Sequence, residues 1–86
     1  MTTLVREVLA SPAVATGVRF SDSMLYVILD DGREIGVSLS RLPWLAKASA
    51  RQRARWSIEP HGYAVWWDDL DDGIEVCHLL TTQAYA

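Results

Sequence analysis

Hydrophobic and polar residues alternate most clearly around the pair Asp31-Gly32. The stretch 33–39 places Ile, Val and Leu at every second position, which is the spacing of a strand with one dry and one wet face. The stretch 24–30 is apolar at successive positions, as in a central strand covered on both faces. An Asp-Gly pair suits the two-residue turn whose twist matches antiparallel strands. The pattern therefore predicts a hairpin that turns at Asp31-Gly32.

A third strand is predicted upstream of this hairpin. Residues 14–20 are rich in β-branched side chains and end at the polar turn Ser21-Asp22-Ser23. The three strands are expected to form a meander within a single domain of residues 1–86, with residues 1–13 as a loosely packed N-terminal arm.

Two short helices are predicted after the meander. Ser40 is expected to cap the first helix, which tolerates Pro43 because that residue falls in the first turn. Ser49 and Gln52 match a capping box, in which each side chain bonds the backbone N–H of the other residue. This box predicts a second helix over residues 50–55.

The last third of the chain returns to strand-like spacing. Residues 56–58 and 63–67 are predicted to form a β-hairpin that turns at Pro60-His61-Gly62. The stretch 74–80 is expected to begin as a strand and to end as a short C-terminal helix. Strands, a helical insert and further strands predict an α+β fold with a small antiparallel sheet.

Composition and charge restrict the class of protein. The chain has 86 residues, half of them hydrophobic and 22% charged, which is typical of one ordered domain. One cysteine excludes an internal disulfide, and no stretch is long and apolar enough to span a membrane. Charged Arg6 and Glu7 stand where a signal peptide needs apolar residues, so a cytoplasmic protein is expected.

Turn, core and acidic positions along the chain form a pattern that is typical of one family. They are Asp31-Gly32-Arg33, Val37, Leu39, Leu42-Pro43, Leu45-Ala46, Ala48, Arg53, Trp56, Gly62, Trp67, Asp69-Leu70-Asp71, Ile74 and Leu79-Leu80. In their order and spacing, over nearly the whole chain after about residue 14, these positions make the chain resemble the bacterial family known as domain of unknown function 2442.

The resemblance implies a compact α+β domain without known catalysis. It also implies a gene that stands beside the gene of another small protein, an arrangement suggestive of a toxin–antitoxin pair. Two positions depart from the pattern of the family. Gly73 stands where an acidic residue is usual, and Trp66 stands where a smaller polar residue or His is common.

Four aspartates lie within five positions, in a segment that we call the acidic turn (residues 68–72). An EF-hand loop that began at Asp68 would place Leu70 at position three, where an oxygen ligand is needed, so the calcium register fails. Carboxylates this close together are expected to share water and stay ionised. We expect Asp68, Asp69, Asp71 and Asp72 to form a solvated surface that contacts a protein partner.

Trp66 and Trp67 are neighbours in a predicted strand, so their side chains are expected on opposite faces. The resemblance implies that Trp67 is the core residue. Trp66 then lies on the other face near the acidic turn, either exposed as a binding residue or buried beneath a helix. Both readings stay open at this stage.

Arg51, Arg53 and Arg55 follow the capping box and offer a surface for nucleic acid. Alternate positions on a helix diverge by about 200°, so the three side chains do not form one reading face. The same arginines are also candidates to cover Trp56 or to pair with aspartates of the acidic turn.

Metal and thiol chemistry is not expected. Cys77 and His78 are adjacent, so in a strand they would point to opposite faces, and Cys77 is interpreted as a small buried hydrophobe. His61, the other histidine of the chain, lies in a predicted turn and is not assigned as a metal ligand. The chain shows no Gly-rich phosphate loop and no activated serine, so no cofactor and no catalytic residue is assigned.

These patterns favour a non-enzymatic protein-interaction module. The resemblance implies that this module is the antitoxin-like member of a two-gene pair, whose partner is encoded by the adjacent gene. The alternative is a DNA-binding autoregulator that uses the Arg51–Arg55 helix. A second copy of the chain is a further candidate partner.

Overall fold

A computed structural model describes residues 13–80, which form six strands and three short α-helices. Of the N-terminal arm expected over residues 1–13, only Ala13 belongs to the described part of the chain. None of the helices within residues 13–80 has the length and apolar character needed to cross a bilayer. The elements are β1 (Ala15–Ser21), β2 (Met24–Leu29), β3 (Glu34–Ser38), α1 (Pro43–Ala46), α2 (Ala50–Arg53), β4 (Trp56–Ile58), β5 (Ala64–Trp67), β6 (Asp72–Glu75) and α3 (Val76–Leu80).

The expected N-terminal meander is present as an antiparallel sheet in the order β1-β2-β3. Val27 in the central strand pairs with Val18 on one side and with Ile35 on the other. The register of β1 shifts between Ala15 and Gly17, as at a β-bulge. The buried residues of β2 alternate with half-buried ones, so this strand has apolar side chains on both faces.

Leu29 and Arg33 close a three-residue loop, residues 30–32, between β2 and β3. The prediction of a two-residue turn at Asp31-Gly32 was therefore wrong. The N–H of Leu29 donates to the carbonyl of Arg33 at 2.8 Å, and the N–H of Gly32 donates to the carbonyl of Leu29 at 3.2 Å. Gly32 has a φ of 94° and the Asp before it does not have a positive φ. This arrangement is a type I turn followed by a glycine bulge, which needs positive φ only at the glycine.

The residue that caps the helical insert lies two positions earlier than expected. Ser38, not Ser40, is the cap: its hydroxyl accepts from the N–H of Ser40 at 3.3 Å, and a 3-10 turn over Leu39–Arg41 precedes α1. Pro43 is the first residue of α1, as its missing N–H allows.

The capping box of the second helix is confirmed. The Ser49 hydroxyl accepts from the N–H of Gln52 at 3.1 Å, and the Gln52 side chain accepts from the N–H of Ser49 at 2.9 Å. The helix ends at Arg53, two residues earlier than predicted.

The C-terminal half forms a second antiparallel sheet in the order β4-β5-β6. Its first two strands are the predicted hairpin, and the start of the predicted element at 74–80 adds a third strand before the chain enters α3. Gly62, in the β4–β5 turn with a φ of 73°, is buried against β1: a Cβ there would lie 2.7 Å from Cβ of Val14. This close approach holds the turn of one sheet against the edge of the other.

Both sheets contribute to one hydrophobic core. Trp67 is fully buried in it, and the ring of Trp44 in α1 meets the Trp67 ring edge-on at 5.6 Å between centroids. Burying a Val, Leu or Ile side chain contributes about 1.5–3 kcal/mol. The buried core residues are Ala15, Leu25, Val27, Leu29, Val37, Leu39, Leu42, Leu45, Val65, Trp67, Ile74, Val76 and Leu79.

Candidate functional site

The two adjacent tryptophans of β5 lie on opposite faces of the second sheet. Trp67 is fully buried in the core, as the resemblance implied. Trp66 is half-buried on the other face, where it pairs with Ser57 of β4 and Gly73 of β6. Trp66 is therefore neither fully exposed nor fully buried, and part of its indole is available for contact.

The indole of Trp66 lies against the backbone of β6 at Gly73. A Cβ at Gly73 would come within 2.4 Å of Cε3 of Trp66 and within 2.5 Å of the carbonyl oxygen of Val65. Real Cβ atoms do not approach other atoms this closely, so the ring occupies the space that a side chain would need. The absence of a side chain at Gly73 thus allows Trp66 to rest on the neighbouring strand.

The acidic turn follows directly from β5. Residues Asp68–Leu70 form a 3-10 turn, and Asp71 closes it in the left-handed conformation with a φ of 51°, which Asp tolerates better than most residues. Asp68, Asp69 and Asp71 are exposed. Asp72 is half-buried, and its carboxylate accepts from the N–H of Gly73 at 2.8 Å. Three of the four aspartates therefore present their carboxylates outward.

The basic and acidic segments meet through one ion pair. Nε of Arg55 lies 3.4 Å from Oδ2 of Asp69, and 59% of the Arg55 side chain and 34% of the Asp69 side chain are exposed. An exposed pair of this kind contributes about 1 kcal/mol or less. The pairing of an arginine with the acidic turn, one of the readings offered by the sequence, is confirmed for Arg55.

Arg53 is engaged within the chain. Its Nε donates to the carbonyl of Leu45 at 3.1 Å, and its Nη2 donates to the carbonyl of Ala46 at 2.7 Å. These carbonyls belong to the last turn of α1, and that of Leu45 also accepts from the N–H of Ala48 at 3.1 Å, so the guanidinium adds to the backbone capping of this helix. The backbone carbonyl of Arg53 in turn accepts from Nε1 of Trp67 at 3.0 Å. Arg53 therefore joins α1, α2 and the core.

The third arginine of this segment, Arg51, is exposed on α2. With Arg53 holding α1 and Arg55 paired with Asp69, the three guanidinium groups serve different purposes. The four-residue α2 does not display them as one basic face.

A second group of polar side chains lies where β6 passes into α3. One ligand atom from each of Glu75, Cys77 and His78 lies within 4.8 Å of the other two, and all three residues are exposed. Nδ1 of His78 is 3.6 Å from Oε1 of Glu75. We call this group the three-donor cluster. Within residues 13–80 His61 does not belong to it, and its ring lies 5.8 Å from that of Tyr63.

Two sequence-based interpretations of this region were wrong. Cys77 is exposed and is not a buried hydrophobe. Cys77 and His78 lie in α3 and not in a strand, so their directions differ by about 100° and not by 180°. The convergence of these two residues with Glu75 was missed because the sequence did not fix where, within residues 74–80, the strand turns into the helix.

A recess of about 270 Å³ adjoins the three-donor cluster. Glu75 and Cys77 form part of its wall, and the surface of the recess is mostly apolar. Tyr63, which is 63% exposed, lies at its side, and its carbonyl accepts from the N–H of Val76 at 2.9 Å. The remaining walls come from Ala13, Val76 and Leu80.

The sequence model of the family "Protein of unknown function (DUF2442)" matches residues 15–83. The chain belongs to this family. The DUF2442 match begins at the first residue of β1 and runs through both sheets and α3. The family suspected from the sequence is thereby confirmed.

Two solved structures share the DUF2442 fold of this chain. A protein of unknown function from Rhodospirillum rubrum ATCC 11170 is 22% identical, with a TM-score of 0.71 over 84% of this chain and 89% of that one. An uncharacterized protein from Chromobacterium violaceum is 21% identical, with a TM-score of 0.73 over 99% of this chain and 76% of that one. At this level of identity the likeness shows the fold alone. The curated proteins contain no match to the chain.

Proposed function

We propose that this protein is a non-enzymatic interaction module that binds a basic segment of a protein partner through Trp66 and the acidic turn. The observation that carries the proposal is the combination, within the β5–β6 hairpin, of a half-buried indole and an acidic turn in which Asp68, Asp69 and Asp71 are exposed and Asp69 also pairs with Arg55. Tryptophan is enriched among the residues that dominate binding energy, and Lys or Arg side chains pack favourably on its ring.

The backbone beneath Trp66 supports this role. Because the indole rests on Gly73, less rotational freedom remains to be lost when a partner covers the ring. The carboxylates of Asp68, Asp69 and Asp71 attract a basic partner over a longer range and raise the rate of encounter. The indole thus contributes most of the binding energy, and the carboxylates make the surface selective for a basic partner.

The state of the three arginines supports a protein partner over nucleic acid. Arg53 caps α1 and Arg55 faces Asp69, so a phosphate backbone would have to compete with groups of the chain itself. Arg51 alone extends from α2 into solvent. The chain also carries a net charge of −3, which repels nucleic acid at long range.

The partner that we propose is the protein encoded by the adjacent gene, with this chain as the antitoxin-like member of the pair. That assignment comes from the family resemblance, and the acidic surface adds that the partner contributes a basic segment. Neutralisation would then consist of covering that segment.

The test is co-expression of the tagged full chain with the protein encoded next to it. We expect a stable complex at low and moderate salt that weakens as salt rises, because exposed charge pairs are screened. Trp66→Ala is expected to weaken binding by about 30-fold, which corresponds to a hot-spot loss of about 2 kcal/mol. Asp68→Asn with Asp71→Asn should slow association and flatten the salt dependence.

Matched controls lie on other surfaces. Asp22→Asn removes an exposed carboxylate in the β1–β2 turn, and Tyr63→Ser removes an exposed aromatic ring. Both variants should bind like the parent. Circular dichroism verifies that Trp66→Ala stays folded. Failure to co-purify at any salt contradicts the adjacent-gene partner, whereas a complex that ignores both Trp66→Ala and the aspartate variants contradicts the proposed surface.

A further inference from the structure

The three-donor cluster owes its geometry to the change from strand to helix after Glu75. In a continuing strand, side chains two positions apart would share a face and the third would point away. Successive side chains in α3 differ by about 100° and not by 180°, which brings His78 round to the side of Glu75 and Cys77. The cluster is thus formed by three residues of one short segment.

The donors are a sulfur, an imidazole nitrogen and a carboxylate oxygen. Calcium and magnesium take oxygen ligands, so they would not use this set well. Zinc accepts all three, with bonds of about 2.0–2.3 Å, so that tetrahedral ligand atoms lie about 3.3–3.7 Å apart. Nδ1 of His78 and Oε1 of Glu75 lie 3.6 Å apart, close to the roughly 3.3–3.5 Å that tetrahedral nitrogen and oxygen ligands of zinc would span. The ligand atoms of the whole cluster lie within 4.8 Å of one another, so binding one ion would draw them closer together.

We propose that Glu75, Cys77 and His78 together bind one Zn²⁺ ion. Within residues 13–80 three side chains supply ligands, and a water molecule is expected at the fourth tetrahedral position. The recess beside Glu75 and Cys77, about 270 Å³ in volume, gives that position room. The site lies at the junction of β6 and α3 and not on the acidic turn, so its residues are distinct from those of the proposed partner surface.

The single cysteine makes a cobalt experiment decisive. Co²⁺ substitutes for Zn²⁺ in such sites, and a Co²⁺–thiolate bond adds a near-ultraviolet charge-transfer band that in this chain arises only from Cys77. We expect Co²⁺ to give that band together with the intense visible bands of a four-coordinate ion. Zn²⁺ should abolish both at one equivalent per chain. Because the thiol loses its proton on binding, Zn²⁺ affinity should rise with pH.

Substitutions separate the cluster from background binding. Cys77→Ser should remove the near-ultraviolet band, and Cys77→Ser, His78→Asn and Glu75→Gln should each weaken Zn²⁺ binding in calorimetry by more than about tenfold, since even the outer partners of metal ligands are worth about 10–100-fold. The matched controls are His61→Asn and Glu59→Gln. Asn tolerates the positive φ of 75° at His61, and both controls should bind like the parent.

Each outcome either supports or contradicts the proposed Zn²⁺ site. The expected band, its loss in Cys77→Ser and a stoichiometry of one ion per chain support the site. Co²⁺ spectra without a thiolate band overturn it, as does Zn²⁺ affinity that is unchanged in Cys77→Ser and His78→Asn. One ion per two chains, with loss in the same variants, overturns the site within one chain and replaces it with an ion that joins two copies. The three cluster variants change exposed side chains, and circular dichroism verifies the folding of every variant.

Discussion

The indole N–H of Trp67 donates a hydrogen bond of 3.0 Å to the backbone carbonyl of Arg53. This bond connects the buried centre of the second sheet with the last residue of α2. It also satisfies the single polar atom of a side chain that is otherwise fully buried. The helical insert is therefore fastened to the core by a residue that the sequence pattern identifies only as hydrophobic.

Trp67→Phe keeps an aromatic ring in the core but leaves the Arg53 carbonyl without its donor. We expect a loss of about 1–3 kcal/mol in the free energy of unfolding from the unpaired carbonyl, with a further loss from the smaller ring. Urea denaturation followed by circular dichroism measures it. Trp66→Phe, the matched change one residue earlier, removes no core volume and should cost less. Equal losses in the two variants would contradict the structural difference between them.

Arg53→Gln removes the guanidinium that bonds the carbonyls of Leu45 and Ala46. Two charge-assisted bonds to the end of α1 are lost, so we expect a decrease of about 1.5–3 kcal/mol in the free energy of unfolding. Arg51→Gln, two residues earlier on the exposed side of α2, should stay within about 0.5 kcal/mol of the parent. Thermal and urea unfolding test both variants. If Arg51→Gln is the more damaging change, the capping role of Arg53 is wrong.

Gly73→Ala introduces a Cβ 2.5 Å from the Val65 carbonyl oxygen and 2.4 Å from the Trp66 ring. We expect the free energy of unfolding to fall by about 1–3 kcal/mol, as it does at other overpacked sites. Gly17→Ala is the matched control, because its Cβ would meet only Cδ1 of Ile28 at an ordinary 3.7 Å.

Trp66 and Gly73, the two positions that the resemblance set apart from the family pattern, are cross-strand partners. A double variant, Trp66→Ser with Gly73→Ala, should recover part of the stability that Gly73→Ala loses, because the clash with the Trp66 ring is removed. The recovery should be only partial, because the clash with the Val65 carbonyl oxygen remains. Strictly additive effects in the double-mutant cycle would show that the two residues are uncoupled.

The pKa of Asp31 is lowered below 3.8, first by the hydrogen bond that its carboxylate accepts from the backbone N–H of Arg33. Desolvation, next in size, raises this pKa, and the hydrogen bond and charge of the Arg33 side chain lower it further. Because the folded pKa is depressed, the associated stability is present above the unfolded pKa and disappears as pH falls through the folded value. NMR titration of the Asp31 carboxyl carbon should give a midpoint below 3.8.

Arg33→Gln separates the two causes of this shift. It keeps the backbone donor, at 3.0 Å, and removes the side-chain bond at 2.8 Å. Most of the lowering of the Asp31 pKa should therefore survive in Arg33→Gln. A return to the ordinary value in this variant would mean that the guanidinium, and not the backbone, is the principal cause.

Features that depend on neighbours in sequence were predictable. The Ser49–Gln52 capping box and the strands on both sides of Gly32 follow from hydrogen-bonding geometry within a few residues. The alternation along β5 placed Trp66 and Trp67 on opposite faces, because successive strand side chains point in opposite directions. The division of the chain into a meander, a helical insert and a second group of strands followed from the same spacing.

Features that depend on distant contacts were decided only by the tertiary structure. The capping of α1 by Arg53 requires α1 and α2 to be placed against each other. The contact between the Trp66 indole and Gly73 requires β5 and β6 to pair across the acidic turn. The end of β6 at Glu75 was equally hidden, since the apolar pattern that follows it fits a strand or a helix. Hydrogen bonding of Val76 to Tyr63 and burial of Leu79 accompany the helix that brings the side chains of the three-donor cluster together. Local sequence determined the elements of this protein, and packing decided which of its polar groups meet.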